Sequence, residues 1–160
     1  MNQPVRIIEI AAVETYPLRT AVLRDGDPAR PVAFDNDVHP DTVHLGVRAD
    51  AGEIVAISSW MPNRLVDFPD DRAIQLRGMA TAAAMQGSGI GGTLFESGVS
   101  RAAALKFTLV WARARDSALG FYERHGCTVI GDGFVDATTR LPHHIVVRRL
   151  LPADQEQALG

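Results

Sequence analysis

A single cysteine, Cys127, stands among the 160 residues of the chain. It cannot close an internal disulfide, and it leaves no paired-cysteine motif for a metal or a redox couple. Aromatic residues are scarce at 6%, so a core must be built mainly from aliphatic side chains. Basic residues are in no excess: 16 Lys and Arg face 19 Asp and Glu, a net charge of −3. That balance argues against nucleic acid as a partner, because binding phosphate backbones requires a concentrated basic face. Long apolar runs are missing too. The longest stretch without a charge, Gly78 to Phe95, is filled with Gly, Ser, Thr and Gln and makes a poor membrane span. Arg6, Glu9 and Glu14 interrupt any signal-peptide core at the N-terminus. Together these absences predict a cytoplasmic chain with neither nucleic acid nor a membrane among its partners.

What is present suffices for one compact domain: 46% of residues are apolar and 22% charged. We expect that domain over residues 1–151, followed by a polar, flexible tail at 152–160. Val5 to Ile10 reads as a first strand. Pro17 suits the first position of a helix capped by Thr15 or Tyr16, with Leu18, Ala21 and Val22 as its apolar stripe and Asp25-Gly26 as its stop. A long loop to Asp41 then carries Pro28, Pro31 and Pro40. It also carries Asp25, Asp27, Asp35, Asp37 and Asp41 against Arg30, a balance that would attract a cationic ligand and equally describes a solvated loop.

Thr42–Arg48 and Glu53–Trp60 read as strands joined at Asp50-Ala51-Gly52. In the first, Val43, Leu45 and Val47 alternate with His44, Gly46 and Arg48, the pattern of a half-buried strand. Ala73 to Ala80 forms another strand whose alternation slips at Gly78-Met79, a bulge signal. Phe95, Gly98, Val99, Ala102 and Leu105 recur at helical spacing and predict a helix over Ile90–Lys106. The continuous run Thr108–Ala112 predicts a strand covered on both faces, parallel to the one before the helix. Asp116 or Ser117 would cap a short helix through Leu119, Phe121 and Tyr122, ended by Gly126. Val129–Val135 and His144–Leu150 complete an α/β fold with a mixed sheet and few helices.

The stretch with chemical content is Gln86-Gly87-Ser88-Gly89-Ile90-Gly91-Gly92, which joins a strand to a helix. Glycines free backbone N–H groups to converge, and the helix N-terminus adds partial positive charge, so the stretch suits a phosphate. It lacks the lysine of a Walker loop. Gly87, Gly89 and Gly92 match a dinucleotide string, but Phe107, Thr108 and Leu109 stand where that fold would carry an acidic residue. A tight structural turn is the plain alternative.

The spacing Gln86-x-x-Gly89-x-Gly91 resembles the pyrophosphate loop of the GNAT N-acetyltransferase family, and Arg77-Gly78-Met79-Ala80-Thr81 resembles the strand that enters it. Downstream, Val110-Trp111, Ala118 and Phe121-Tyr122-Glu123-Arg124-His125-Gly126-Cys127 are similar to a second motif of the same family, in the right order. Leu18-Arg19-x-x-Val22-Leu23 and His44-Leu45-Gly46 look like a group of small acetyltransferases within it.

The resemblance implies a mixed, mostly antiparallel central sheet with a bulged strand, a glycine loop and flanking helices. It implies acetyl transfer from acetyl-CoA to a small-molecule or peptide amine by direct transfer in a ternary complex. The cofactor-binding residues would be Met79, Ala80 and Thr81 on the strand, and Gln86, Gly87, Ser88, Gly89, Ile90, Gly91 and Gly92 on the loop. A backbone N–H near Met79 would polarise the thioester carbonyl. Tyr122 matches the family's general acid. For the base, relatives often use a strand glutamate where this chain offers Gln75 and Arg77. His44 is the candidate, with His143 or His144 as alternatives and a water chain as another. Arg113 stands where relatives often carry asparagine. Cys127 is expected to be buried rather than a covalent relay.

The five histidines keep no metal-ligand spacing, and no metal is expected. A homodimer is left open. A non-catalytic acyl-CoA-binding domain of the same fold, and a module for a different phosphate ligand, are the other readings.

Overall fold

A computed structural model describes residues 5–150, so the expected tail at 152–160 lies outside the described residues. Ten elements follow the order β1 (Ile7–Ile10), α1 (Ala12–Leu18), β2 (Val43–Arg48), β3 (Ile54–Pro62), β4 (Ala73–Thr81), α2 (Ile90–Ala104), β5 (Leu109–Arg115), α3 (Leu119–Arg124), β6 (Thr128–Val135) and β7 (Pro142–Arg149). The seven strands form one sheet in the order β1-β2-β3-β4-β5-β7-β6. β1–β2, β2–β3, β5–β7 and β6–β7 are antiparallel, and β4–β5 is parallel. The expected class, a mixed and mostly antiparallel sheet with few helices, is the one observed.

By internal packing the described chain divides into two units, residues 5–61 with 76–98 and residues 62–75 with 99–150. β4 changes unit after Gln75 and α2 after Gly98. Both divisions fall inside regular elements, which is why the sequence carries no linker there. In the first unit Ile10, Leu18, Ile57 and Ala80 form a core against Ile8, Val22, Leu23, Ile54 and Ala82. The ring of Trp60 lies against Gly98 of α2, where an added Cβ would stand 1.9 Å from Cζ2. Only hydrogen can occupy that point, so Gly98 is a packing residue. In the second unit Ala73, Leu109, Trp111 and Val147 form a core with Leu65, Phe68, Ile130 and Ile145. Trp111 Nε1 donates to the Asn63 carbonyl at 2.9 Å, which satisfies the one polar atom of that ring.

Several local expectations differ from the structure. α1 begins at Ala12, not at Pro17, which sits in its last turn. The Glu14 carboxylate accepts the Ala11 N–H at 2.7 Å and so supplies the N-terminal cap. Pro17 has no N–H to give the preceding turn, and the chain continues past Leu18 as a wider π turn over Arg19–Leu23. α2 ends at Ala104 rather than Lys106 because Lys106 takes a left-handed conformation, φ 69°, and Leu105 is exposed instead of completing the apolar stripe. α3 has no side-chain cap from Asp116 or Ser117, which form a 3-10 turn with Ala118 ahead of it.

β2 is buried on both faces, not half-buried: His44 and Gly46 are as enclosed as Leu45 and Val47. Its neighbours explain this. β1 and β3 flank it, His44 finds hydrogen-bond partners inside, and an added Cβ at Gly46 would stand 2.8 Å from Ile10 Cδ1.

Candidate active site

The C-terminal half of β4, the loop after it and the first turn of α2 all belong to the first unit. The parallel ladder with β5 runs over Ala73–Gln75, and β4 goes on to Thr81. Its regular backbone breaks at Gly78, whose φ of 62° is left-handed. This is the slip the alternation had signalled at Gly78-Met79. Met79 and Thr81 are half-buried, while Ala80 is in the core. After Thr81 a 3-10 turn at Ala83–Met85 leads into the loop, and Gln86 Nε2 donates back to the Thr81 carbonyl at 3.1 Å. Gln86 therefore ties the loop to the strand that precedes it.

Gly87 and Gly89 both adopt left-handed φ values, 82° and 87°, with Ser88 between them. A Cβ added at either would meet nothing within 4 Å, so both backbones face open space. The Ser88 hydroxyl donates to the Met85 carbonyl at 2.5 Å, which holds the turn from within. Thr93 N–H and hydroxyl both reach the Gly89 carbonyl, at 3.2 Å each, and that carbonyl begins the helical hydrogen-bond ladder. The amides of Ile90, Gly91 and Gly92 consequently lie in the first turn, where helical geometry supplies no acceptor. Ile90 buries its side chain in the core and leaves only its main chain for a ligand. The Gln86 and Ser88 N–H groups are spent within the turn, on the Ala83 and Met85 carbonyls at 3.3 Å each, so it is the main chain of Gly87, Gly89, Ile90, Gly91 and Gly92 that lies at the positive end of a 15-residue helix.

A second cluster in the same unit is built from side chains. Arg19, on the π turn, places its guanidinium in the core with 1% of the side chain exposed. Nη1 donates to Asp37 Oδ2 at 2.7 Å and to the Val32 carbonyl at 2.8 Å; Nη2 donates to Asp37 Oδ1 and to Ser59 Oγ, both at 2.9 Å. His44 faces Ser59 Oγ through Nδ1 at 2.7 Å and the Asp37 carbonyl through Nε2 at 2.9 Å. The carbonyl can only accept, so Nε2 carries a proton toward it, and Nδ1 faces the Ser59 hydroxyl, which can donate or accept. Burial opposes ionisation of Asp37. The hydrogen bonds from Arg19 and from the Phe34 N–H, with the Arg19 charge, outweigh burial and hold its carboxyl below the ordinary range.

Asp37, expected with the other loop aspartates to be solvated or to attract a cation, is instead spent on Arg19. His44, the candidate base, lies inside the cluster with both ring nitrogens engaged. That geometry gives the base assignment no support. Gln75 is buried, and its Oε1 accepts from Asn63 Nδ2 at 2.9 Å, while the Arg77 guanidinium lies 4.1 Å from the centre of the Phe34 ring.

The family pattern for acetyltransferases (GNAT) matches residues 10–127, most of the chain, and includes both β4 and the glycine loop. The chain belongs to the GNAT family. The uncharacterised N-acetyltransferase YitI of Bacillus subtilis (strain 168) is 28% identical over 142 residues, which are 89% of this chain and 93% of that protein. Among solved structures, an N-acetyltransferase candidate from Lactobacillus plantarum superposes with a TM-score of 0.75 at 20% identity, covering 93% of this chain and 100% of that one. An aminoglycoside 6'-N-acetyltransferase complexed with coenzyme A gives a TM-score of 0.70 at 12% identity, over 92% and 98% of the two chains. At those identities the two structures establish the shared GNAT fold.

The remaining candidates lie in the second unit of this GNAT chain. Tyr122 on α3 is buried, and burial, with a further contribution from Cys127, pushes its hydroxyl pKa up. Phe121 packs edge-on beside it, with ring centres 5.3 Å apart. Cys127 is a buried free thiol whose N–H donates to the Tyr122 carbonyl at 2.9 Å. His143 is buried, stacks on Phe134 and has Nδ1 at 2.9 Å from the Leu141 carbonyl; His144 Nδ1 meets Asp116 Oδ1 at 2.6 Å. Arg113 pairs with Asp136 at 3.1 Å and covers Phe134. Among the described residues no three His, Cys, Asp or Glu side chains form a metal-holding group. No helix among them is long and apolar enough to cross a membrane.

Proposed function

We propose that the chain is an acetyl-CoA-dependent N-acetyltransferase that passes acetyl directly to an amine acceptor while both substrates are bound. The observation that carries this reading is the loop geometry: two left-handed glycines with open space above them, followed by the first turn of a long helix. A pyrophosphate fits such a cradle, because main-chain N–H groups and the helix dipole neutralise it without any basic side chain. Gly87, Ser88, Gly89, Ile90, Gly91 and Gly92 would hold it, with Gln86 fixing the loop to β4. Acetyl-CoA brings an activated thioester. Met79, Ala80 and Thr81 offer main-chain partners to the amides of its pantetheine arm, in the manner of an added strand. The Met79 N–H is assigned to the thioester carbonyl, where it would stabilise developing negative charge.

Tyr122 is assigned as the proton donor to the departing thiolate. An ordinary tyrosine hydroxyl is already protonated at neutral pH, as a donor must be; burial raises the Tyr122 pKa further, so a neighbouring thiolate has to draw the proton out. His44 is read as a structural member of the Arg19 cluster, and the proton of the acceptor ammonium leaves through water. The acceptor class is a small-molecule or peptide amine, and the site of action is read as cytoplasmic.

The second reading, a non-catalytic acyl-CoA-binding domain, draws on Gln75 and Arg77 in place of a strand glutamate and on the occupied nitrogens of His44. Thermal stability with millimolar acetyl-CoA tests both readings together, since an unmoved melting temperature removes each of them. Release of coenzyme A thiol with a panel of amines then separates enzyme from sensor. Tyr122→Phe is expected to lower kcat by about a hundredfold while leaving coenzyme A affinity within about twofold. Equal loss of both would remove Tyr122 from the acid role.

A further inference from the structure

We propose that Phe34, braced by Arg19 and Asp37, is a positioning residue that sets the backbone of Gly78 and Met79 on β4. An ideal Cβ at Gly78 would stand 2.8 Å from Phe34 Cε2 and 3.2 Å from both Phe34 Cζ and Arg19 Nε. The ring edge thus occupies the space a side chain would take at the point where β4 turns left-handed. Phe34 is itself held from several directions. Its N–H donates to Asp37 Oδ2 at 2.8 Å, and its carbonyl accepts the Asp37 N–H at 3.0 Å. The Arg19 guanidinium lies 3.8 Å from the ring centre and that of Arg77, the residue before Gly78, lies 4.1 Å from it.

Arg19 spends four N–H groups on oxygen acceptors, while buried Nε finds none and lies beside Gly78. Its stacking on Phe34 and its forked grip on Asp37 therefore determine where the ring sits. The route from α1 to β4 is continuous: π turn, Arg19, Asp37, Phe34, Gly78. The aspartate-rich loop contributes an aromatic wedge to the bulge, and its Asp37 is spent on holding that wedge.

The catalytic consequence rests on the acyltransferase reading, because it matters only if the Met79 N–H meets the thioester; the backbone consequence rests on the packing alone. A displacement of about 1 Å at such a donor is enough to cost one to two powers of ten in rate. Phe34→Leu removes the ring edge and lets the Gly78 peptide relax, whereas Phe34→Tyr keeps the ring.

The test compares wild type, Phe34→Leu and Phe34→Tyr by amide chemical shifts and hydrogen exchange in the free protein, and by thiol-release kinetics with acetyl-CoA. The Gly78 and Met79 amides are expected to move in Phe34→Leu more than amides of the glycine loop. Its kcat should fall about tenfold with KM for acetyl-CoA within about threefold, and Phe34→Tyr should restore both amides and rate. Unmoved Gly78 and Met79 amides in Phe34→Leu overturn the proposal, and so does equal loss in the leucine and tyrosine variants. If wild type releases no thiol with any amine yet the amides still move, the acyltransferase reading fails and the positioning role stands.

Discussion

The glycine loop at Gln86–Gly92 and the Arg19 cluster belong to the same packing unit and handle charge in opposite ways. The loop carries no charged side chain; it offers main-chain amides to open space. The cluster places a full guanidinium and a carboxylate in the core, where each has the other as partner. Water explains the difference. An exposed amide cradle loses little while empty, since solvent satisfies it, so it can be reserved for a ligand. A buried ion has no such recourse, so its partners must be built into the fold, and they are then unavailable to a substrate. A chain with net charge −3 can on this logic receive a polyanion, because the receiving groups are dipoles and do not enter the count.

The strongest way to break the comparison is Arg19→Met, which strands Asp37 in the core. Urea unfolding at pH 7 should show a loss of about 3–5 kcal/mol. The sign with pH follows from the Asp37 carboxyl, which is held below its ordinary value in the folded protein. Its contribution is present above the ordinary carboxyl pKa and is lost as pH falls through the lower folded value. The gap between wild type and Arg19→Met should therefore narrow between pH 7 and pH values of about 3 and below. A constant gap across that range would mean that Asp37 is not the group left stranded.

Gly89→Ala sharpens the other side. The left-handed φ of 87° should cost about 1–2 kcal/mol in the denaturant midpoint, with no collision added because the space above Gly89 is empty. Coenzyme A affinity should fall more than that strain accounts for, as the methyl group enters the cradle. The smallest effect is expected at the Glu14–Arg48 pair, whose side chains are 37% and 43% exposed. Arg48→Gln should leave the urea midpoint nearly unchanged at moderate salt, far below the effect of its buried counterpart. A comparable loss at both arginines would erase the distinction drawn from burial.

The two regions also differ in how well they can be read from the chain. Gly87, Gly89, Gly91 and Gly92 declare themselves because a turn needing positive φ and close approach leaves its mark within a few consecutive residues. The Arg19 cluster joins residues 18 and 40 positions apart, and no local pattern ties Arg19 to Asp37 or Ser59. Two features could have hinted at it: a helix-breaking Pro17 two residues before Arg19, and an arginine in a stretch from Leu18 to Leu23 that is apolar apart from Thr20. The enclosure of His44 escaped the sequence for a related reason. Alternation describes a strand with one wet face, but β2 lies between two strands and under a loop, so its polar position was enclosed with partners instead of left to solvent. Leu105 was assigned to the apolar stripe because periodicity cannot see that Lys106 turns left-handed and ends the ladder two residues early.

By itself the sequence determined the alternation of strands and helices, the family resemblance and the place of the glycine loop, because backbone conformation and local periodicity are encoded within short windows. Only the tertiary structure decided which charges are buried, that Asp37 serves Arg19, that His44 has no free nitrogen, and that Phe34 rests on Gly78. Those outcomes depend on which distant residues exclude water from one another, and desolvation is a property of the packed chain.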